Sequence, residues 1–496
     1  MAGSFALLLL GAAVAATPCE NLTSLKFADT TITSTIAVPE GPPPGRGGAF
    51  GGGMRSGAPQ ANIPAHCQVK LVLKPTADSL INMELWLPAE NWNGKFMGVG
   101  NGFFAGSIQG TASDMPQALR LGYATAGTDT GHQEPGGNWA IGHPEKMIDF
   151  AYRSTHEMTV KAKQTIKAFY GREAQYSYFK GCSTGGRQAL MEAQRYPEDY
   201  DGIIAGSCAN RHVRMWTAAV AQNVDLLRRP EGNLTSEKAD LVQQLVMNTC
   251  DTLKEQFLNN PRQCKVDFSK LLCPAGKDDG TCITAPQLKT VETFYGGVKN
   301  SKGDLIFSGQ ALGNAIGPQR PPAQGPGAYF DIVRIAFNDP DLDWQKFDLD
   351  RDMPLIDKAV GYVDAVDPDL SKFKASGGKL LLYHGWTDTG ITPETTAWYY
   401  DSVLDRMGKN QGDWLRLFLA PGMGHCGGGP GVNSFDSIGT LEKWVEKGIA
   451  PDQIVGTGAK GMTRPLCSYP QYAEYKGTGD LKDAANWSCT LGVGPK

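Results

Sequence analysis

Between Tyr178 and Gly202 the chain reads YFKGCSTGGRQALMEAQRYPEDYDG: an aromatic run, a serine set among glycines, then a run with helical spacing. Gly181, Ser183 and Gly185 make a G-x-S-x-G turn, and a strand before it with a helix after it is the context in which such a turn acts as a nucleophile elbow. The turn forces its serine into a strained backbone conformation and projects the hydroxyl beyond the sheet. The N-terminus of the following helix favours negative charge beside it. Five-residue matches of this kind arise by chance, so the flanking elements carry the reading.

Working outward, strand, Gly-rich turn and helix repeat from INMELWLP (Ile81–Pro88) through GKFMGVGNGFFAG, GYATAGTDTGH and DGIIAGS, and resume at GGKLLLYHGWTD and DWLRLFLAPGMGHC. Strands alternating with helices predict an α/β fold around a parallel sheet covered on both faces. Residues 23–80 alternate apolar and polar positions and predict antiparallel strands. Glu40–Gln60 is rich in Gly and Pro and reads as a surface loop, with neither a P-loop ending nor Rossmann spacing. The alternation is lost from Cys208 to Pro354. Residues 17–207 and 355–496 are therefore expected to form one catalytic domain, with 208–354 inserted above the C-terminal edge of its sheet.

A serine nucleophile needs a base and an orienting acid, in the chain order Ser, Asp, His for this arrangement. Asp388 follows the strand pattern KLLLYHGWTD, and His425 sits in a Gly-rich loop after RLFLA. Both fall where open α/β sheets place their ligands. His384 lies inside the strand pattern and reads as a packed, hydrogen-bonded residue. His132 and His156 are weaker candidates for the base, and Asp129 and Asp364 for the acid. Oxyanion donors are expected at the Thr184 N–H and, from the GVGNGFFAG loop, at Gly102 or Phe103.

Eleven cysteines point to an oxidising compartment, and the odd count leaves one unpaired. Spacing suggests local bridges Cys19–Cys67, Cys250–Cys264, Cys273–Cys282 and Cys467–Cys489. Cys182, Cys208 and Cys426 remain. Cys182 precedes the serine and Cys426 follows the histidine, so a Cys182–Cys426 bridge would pin the two together and leave Cys208 free. No C-x-x-C pair or zinc-like cluster is present. Residues 1–16 read as a secretion signal, apolar but too short to span a bilayer, although no Lys or Arg precedes the apolar run. Secretion or a periplasmic location is therefore expected. A net charge of −4 with no basic block argues against nucleic acid or an anionic membrane as partner. Sequons at Asn21, Asn233 and Asn486 decide little.

The segments GNGFFAG, GTDTGH, EMTVKAKQTIKAFYG, GCSTGGRQALMEAQRYPEDYDGIIAG, YHGWTDTGITP and GMGHCGGGPG together resemble the tannase and feruloyl esterase family of secreted serine esterases. The resemblance implies an α/β-hydrolase fold with a large lid after the strand that follows the nucleophile helix. It also implies Ser183, Asp388 and His425 as catalytic residues, with the Cys182–Cys426 bridge between them. Such lids carry a calcium loop, Asp-x-x-Asp-Gly-x-x-Asp-Gly, between two cysteines. Here the matching stretch, CDTLKEQFLNNPRQC, keeps only Asp251, with Glu255, Asn259 and Asn260 as scattered oxygens. Structural calcium is not expected, nor is any cofactor for catalysis. KDDG at Lys277–Gly280 reads as a solvated turn.

The implied activity is hydrolysis of small aromatic esters, feruloyl or other hydroxycinnamoyl or galloyl, borne on plant polysaccharide or polyphenol. A second activity in the family, hydrolysis of mono(2-hydroxyethyl) terephthalate, would call on lid aromatics and an arginine, for which Phe330, Arg334 and Phe337 are the candidates. A hydrolase fold without catalysis, used for binding, is the alternative of another class.

Overall fold

Strands that are buried on both faces direct neighbouring residues into different cores, and the two faces of this sheet divide in that way. The computed structural model describes residues 17–43, 61–108, 114–319 and 325–491; the expected signal, 1–16, and most of the Gly/Pro-rich stretch lie outside them. Nine strands form one mixed sheet. Its order is β1 (Thr30–Val38), β2 (His66–Leu73), β3 (Ile81–Pro88), β5 (Ala124–Thr128), β4 (Lys95–Val99), β6 (Tyr176–Cys182), β7 (Gly202–Gly206), β8 (Lys379–Gly385) and β9 (Leu415–Ala420). Strands β1 to β3 are antiparallel, β3 is antiparallel to β5, and the strands from β5 to β9 are all parallel.

Phe179, Ile203, Leu380 and Leu382 face one core, against Met158 and Ile166 of α1 (Ser154–Tyr170), Leu190 of α2 (Thr184–Arg195) and Tyr399 of α5 (Pro393–Met407). Their neighbours Tyr178, Ile204 and Leu381 face the other, against Leu441 and Trp444 of α6 (Ser437–Lys447). Each buried side chain of this size contributes roughly 1.5–3 kcal/mol. The chain cannot slip register by one residue without exchanging both cores.

Between β7 and β8 lies the insertion, which begins with α3 (His212–Arg228) and includes α4 (Leu349–Val360). Val213, Trp216 and Val220 of α3 pack with Ile332 and Val333 and with Met353, Ile356 and Val360 of α4. The boundary expected at 354/355 therefore falls inside a helix. Pro354 sits within α4 without ending it, and the chain rejoins the main core at Ala365, Leu370 and Phe373.

Ten of the eleven cysteines are bridged, four pairs as expected from spacing and Cys182–Cys426 as expected from their places beside Ser183 and His425, and Cys208 is free and buried. Four bridges close short loops, but Cys182–Cys426 spans 244 positions with a Cα–Cα distance of 5.9 Å, unstrained for a disulfide. For a loop of that size the chain-entropy argument gives about 5 kcal/mol. The Cys182→Ser/Cys426→Ser double variant is expected to lose up to about that much stability in denaturant melts. An unchanged midpoint would show that packing alone holds the two segments.

Candidate active site

Ser183 follows β6 and caps α2 with φ 66° and ψ −124°, a backbone conformation that costs a non-glycine residue roughly 1–3 kcal/mol. The surroundings hold it there. Its N–H donates to the Gly206 carbonyl (3.0 Å), and its own carbonyl accepts from Ala209 (3.0 Å) and Arg187 (3.1 Å). The turn closes so tightly that a Cβ on Gly181 would lie 2.2 Å from the Gly185 carbonyl oxygen. Glycine is required there by space, as the motif demands.

The loop after β4 rests on the start of α2. The Gly185 N–H donates to Asn101 O (2.7 Å), and Asn101 exchanges two hydrogen bonds with Gln188, from its own N–H to Oε1 (2.9 Å) and from Nε2 to its Oδ1 (3.1 Å). Thr184 Oγ1 donates to Phe103 O (2.5 Å). Gly102 and Phe103 are thereby fixed beside Thr184, whose N–H opens the helix and has no acceptor within it. The lock made by Asn101 and Gln188 was absent from the sequence reading; it pairs two polar residues 87 positions apart with no motif to link them.

Asp388 is fully buried. Its Oδ1 accepts from the N–H groups of Gly390 (2.8 Å) and Ile391 (2.9 Å), and its Oδ2 meets His425 Nδ1 (2.7 Å) and His384 Nε2 (3.0 Å). Burial alone would raise this carboxyl's pKa, but the hydrogen bonds from His384 and His425 outweigh it and hold the carboxyl well below the usual range. A carboxylate only accepts, so His425 carries its proton on Nδ1, which leaves Nε2 as the basic nitrogen on a side chain 39 % exposed. By the same logic His384 is the opposite tautomer, with its proton on Nε2, since that nitrogen also meets the Ile391 carbonyl (3.0 Å) while Nδ1 accepts from Thr396 Oγ1 (2.8 Å). His384 is packed and hydrogen-bonded, as read from its strand; its grip on Asp388 is the part the pattern did not reveal. Cys208, the free thiol, is pushed up to about 12 by burial and bonds the same Thr396.

The weaker candidates are engaged elsewhere. Asp129 binds Asn82 and Gly131, Asp364 accepts from Val213 N–H at the start of α3 (2.7 Å), and His156 pairs with Asp199 (2.6 Å). His132 stacks on Trp139 with centroids 3.7 Å apart, and burial pushes it down to about 3. Phe330 is only 2 % exposed and lies in the insertion's core, against which Phe337 packs, while Arg334 pairs with Asp331 (3.2 Å) and covers the Phe330 ring. These three residues pack the insertion. Two exposed rings, Phe103 (56 % exposed) and Tyr329 (40 %), pack on the buried Trp216, with centroids 5.3 and 5.5 Å away.

The stretch that would hold calcium is already filled by a cation from the chain. Arg464, fully buried, donates to both oxygens of Glu255 (2.7 and 3.0 Å), to Asn259 Oδ1 (2.7 Å) and to Leu481 O (3.1 Å). Asp251 accepts from the N–H groups of Glu255 and Gln256. Arg464 thus holds the Glu255 and Asn259 oxygens that a hard cation would otherwise use.

The tannase and feruloyl esterase family matches residues 67–490. The chain belongs to that family. Among its relatives, an uncharacterized esterase of Xanthomonas campestris pv. campestris is 33 % identical, over 97 % of this chain and 92 % of that protein. A probable feruloyl esterase B-2 of Aspergillus fumigatus is 31 % identical over 85 % of this chain and 86 % of its own length. Feruloyl esterase B from Aspergillus oryzae superposes with a TM-score of 0.85 at 27 % identity, covering 95 % of this chain and all of that one. The protein is thus a carboxylic ester hydrolase of the tannase and feruloyl esterase type. In this esterase, His384→Ala removes one of two side-chain donors to Asp388. The variant is expected to keep KM and lose about ten- to a hundredfold in kcat, the scale of a misplaced catalytic group; wild-type kcat in a folded variant would make His384 a packing residue only.

Proposed function

We propose that the protein is a serine carboxylesterase for aromatic esters, acting through Ser183, His425 and Asp388 and an acyl-enzyme. The observation that carries this reading is the convergence, at the C-terminal ends of the parallel strands, of the strained Ser183 with the Asp388–His425 pair, the serine and the histidine each adjoining one disulfide. His425 Nε2 takes the serine proton as Oγ attacks the ester carbonyl. Asp388 holds the imidazole and offsets its positive charge, and the N–H groups of Thr184 and of Gly102 or Phe103 receive the oxyanion. His425 then protonates the departing alcohol, and water, activated by the same nitrogen, cleaves the acyl-enzyme.

The insertion acts as a lid on this α/β-hydrolase scaffold. An aromatic acyl group fits the exposed rings of Phe103 and Tyr329, which begin at the oxyanion loop and are backed by the buried Trp216; planar rings gain roughly 0.5–1.5 kcal/mol from such contacts beyond simple burial. Feruloyl or galloyl esters, free or borne on plant polysaccharide or polyphenol, meet that description, and the names of the relatives favour feruloyl. Five disulfides suit a secreted or periplasmic protein, and among the described residues no helix is long and apolar enough to cross a membrane.

Ser183→Ala is expected to lower kcat on methyl ferulate, methyl gallate and p-nitrophenyl acetate by about a million-fold. Equal turnover by variant and wild type would end the mechanism. Phe103→Ala should lower kcat/KM for the ferulate about three- to tenfold while sparing the acetate, since only the former stacks. The fold needs no calcium on this reading. Added calcium should leave the wild-type melting temperature unchanged, whereas Arg464→Met, which strands Glu255, should cost about 3–5 kcal/mol.

A further inference from the structure

On the face of α2 turned away from the elbow, two carboxylates and a histidine meet. His156 comes from the first turns of α1, Glu192 from α2, and Asp199 from the turn before β7. Glu192 is fully buried, and neither of its carboxylate oxygens receives a hydrogen bond from any donor. Its near neighbour is the Asp199 carboxylate, which can bond it only by sharing a proton. Asp199 Oδ2 lies 2.6 Å from His156 Nδ1, and the His156 ring is held flat against Tyr196, with centroids 3.7 Å apart. The one ammonium close by, on Lys163, donates to the backbone carbonyl of Asp199. The donors of Lys163 and His156 both go to Asp199, and Glu192, in the protein interior, faces only its acidic neighbour.

An isolated buried carboxylate is too costly to leave bare; a proton or a cation must neutralise it. The geometry favours the cation. One ligand atom from each residue lies within 4.8 Å of the others. A nitrogen and two oxygens around zinc, bonded at about 2.0–2.2 Å, need separations only slightly above 3 Å. The His156–Asp199 contact has to open by less than about 1 Å. The His156 and Asp199 side chains are 27 % and 14 % exposed, so the cluster has a way in from solvent, with Glu192 as its floor. One nitrogen and two carboxylates with an open position is a donor set for a borderline transition metal such as zinc.

We propose that His156, Glu192 and Asp199 form a binding site for one divalent transition-metal ion, separate from the esterase centre. Glu192 lies about 13 Å along the α2 axis from Ser183, at 1.5 Å per residue. The ion would clamp α1 to α2 and so brace the helix that carries the nucleophile from behind.

The test uses the full chain, stripped of metal by chelator and dialysed, then titrated with zinc chloride. Elemental analysis after desalting is expected to give one zinc per chain, with a rise in melting temperature. His156→Ala and the isosteric Glu192→Gln should each lower zinc affinity about tenfold or more while retaining esterase activity on p-nitrophenyl acetate, which reports that the variants are folded. No zinc uptake by wild type, or uptake undiminished in both variants, overturns the proposal. If wild type takes up no zinc and Glu192→Gln raises the melting temperature of the metal-free protein, the pocket belongs to a shared proton instead.

Discussion

The buried charge of Asp388 is the constraint around which the catalytic edge is organised. A carboxylate with no solvent must find donors for both oxygens, and this one finds four: two amides of its own turn and two imidazoles. The amides set the path of the chain from β8 into α5. His425 reaches in from the loop after β9 and is oriented by the bond. His384, below, is in turn held by Thr396 on α5. The insertion is tied to the same place, since Asn314 donates to the Asp388 carbonyl (3.0 Å), Gln310 to the Thr389 carbonyl and Thr392 to the Gly309 carbonyl. The acid loop is therefore where sheet, helix and insertion are joined, and a shift in any of them is felt at the imidazole.

The second constraint is distance along the chain. Ser183 and His425 come from either side of the insertion, and thermal motion between two such segments would blur a geometry that must be held to a fraction of an ångström. The Cys182–Cys426 bridge removes that freedom at the residues themselves. Cys426 has a positive φ of 64°, and Ser183, next to Cys182, one of 66°, so each side of the bridge adjoins or holds an unusual backbone conformation that only a closely packed site maintains. The Cys426 N–H lies 3.4 Å from Ser207 Oγ, which gives the histidine loop a second hold on the end of β7.

What the sequence made legible was whatever is written locally. The elbow glycines, the strand-end positions of Asp388 and His425 and the cysteines beside Ser183 and His425 are short-range patterns with strong steric or chemical causes, and the four local disulfides followed from their spacing. Contacts made by folding were hidden. His384 looked like any strand histidine, because its meeting with Asp388 depends on the turn between them. Arg464 lies more than 200 positions from Glu255, and no pattern in either segment announces the pair. Phe330 was singled out as an aromatic near an arginine, while its neighbour Tyr329 has the exposed ring; the short helical turn decides which side chain faces out. Pro354 read as the end of a segment, yet α4, capped by Asp348 through the Arg351 N–H (2.9 Å), runs through it. Pro354 costs the helix one hydrogen bond and crowds the Asp350 carbonyl, and the burial of Met353, Ile356 and Val360 in the insertion's core holds the helix together across it.

Buried charge also separates the parts of this molecule that are structural from those that do something more. Arg187 is fully buried, and its terminal nitrogens bond the carbonyls of Phe150, Ala151 and Val363 over the Phe150 ring. Arg464 has the carboxylate and amide oxygens of its loop, and Asp388 has its four donors. In each case the desolvation penalty, several kcal/mol per ion, is offset by partners that the fold itself supplies. Glu192 shares the burial and lacks the partners. Because the penalty depends on burial and not on purpose, a buried carboxyl that the protein leaves without a donor has to take up a proton or a cation. The His425 ring is bonded on its Asp388 side through Nδ1, and its side chain remains 39 % exposed.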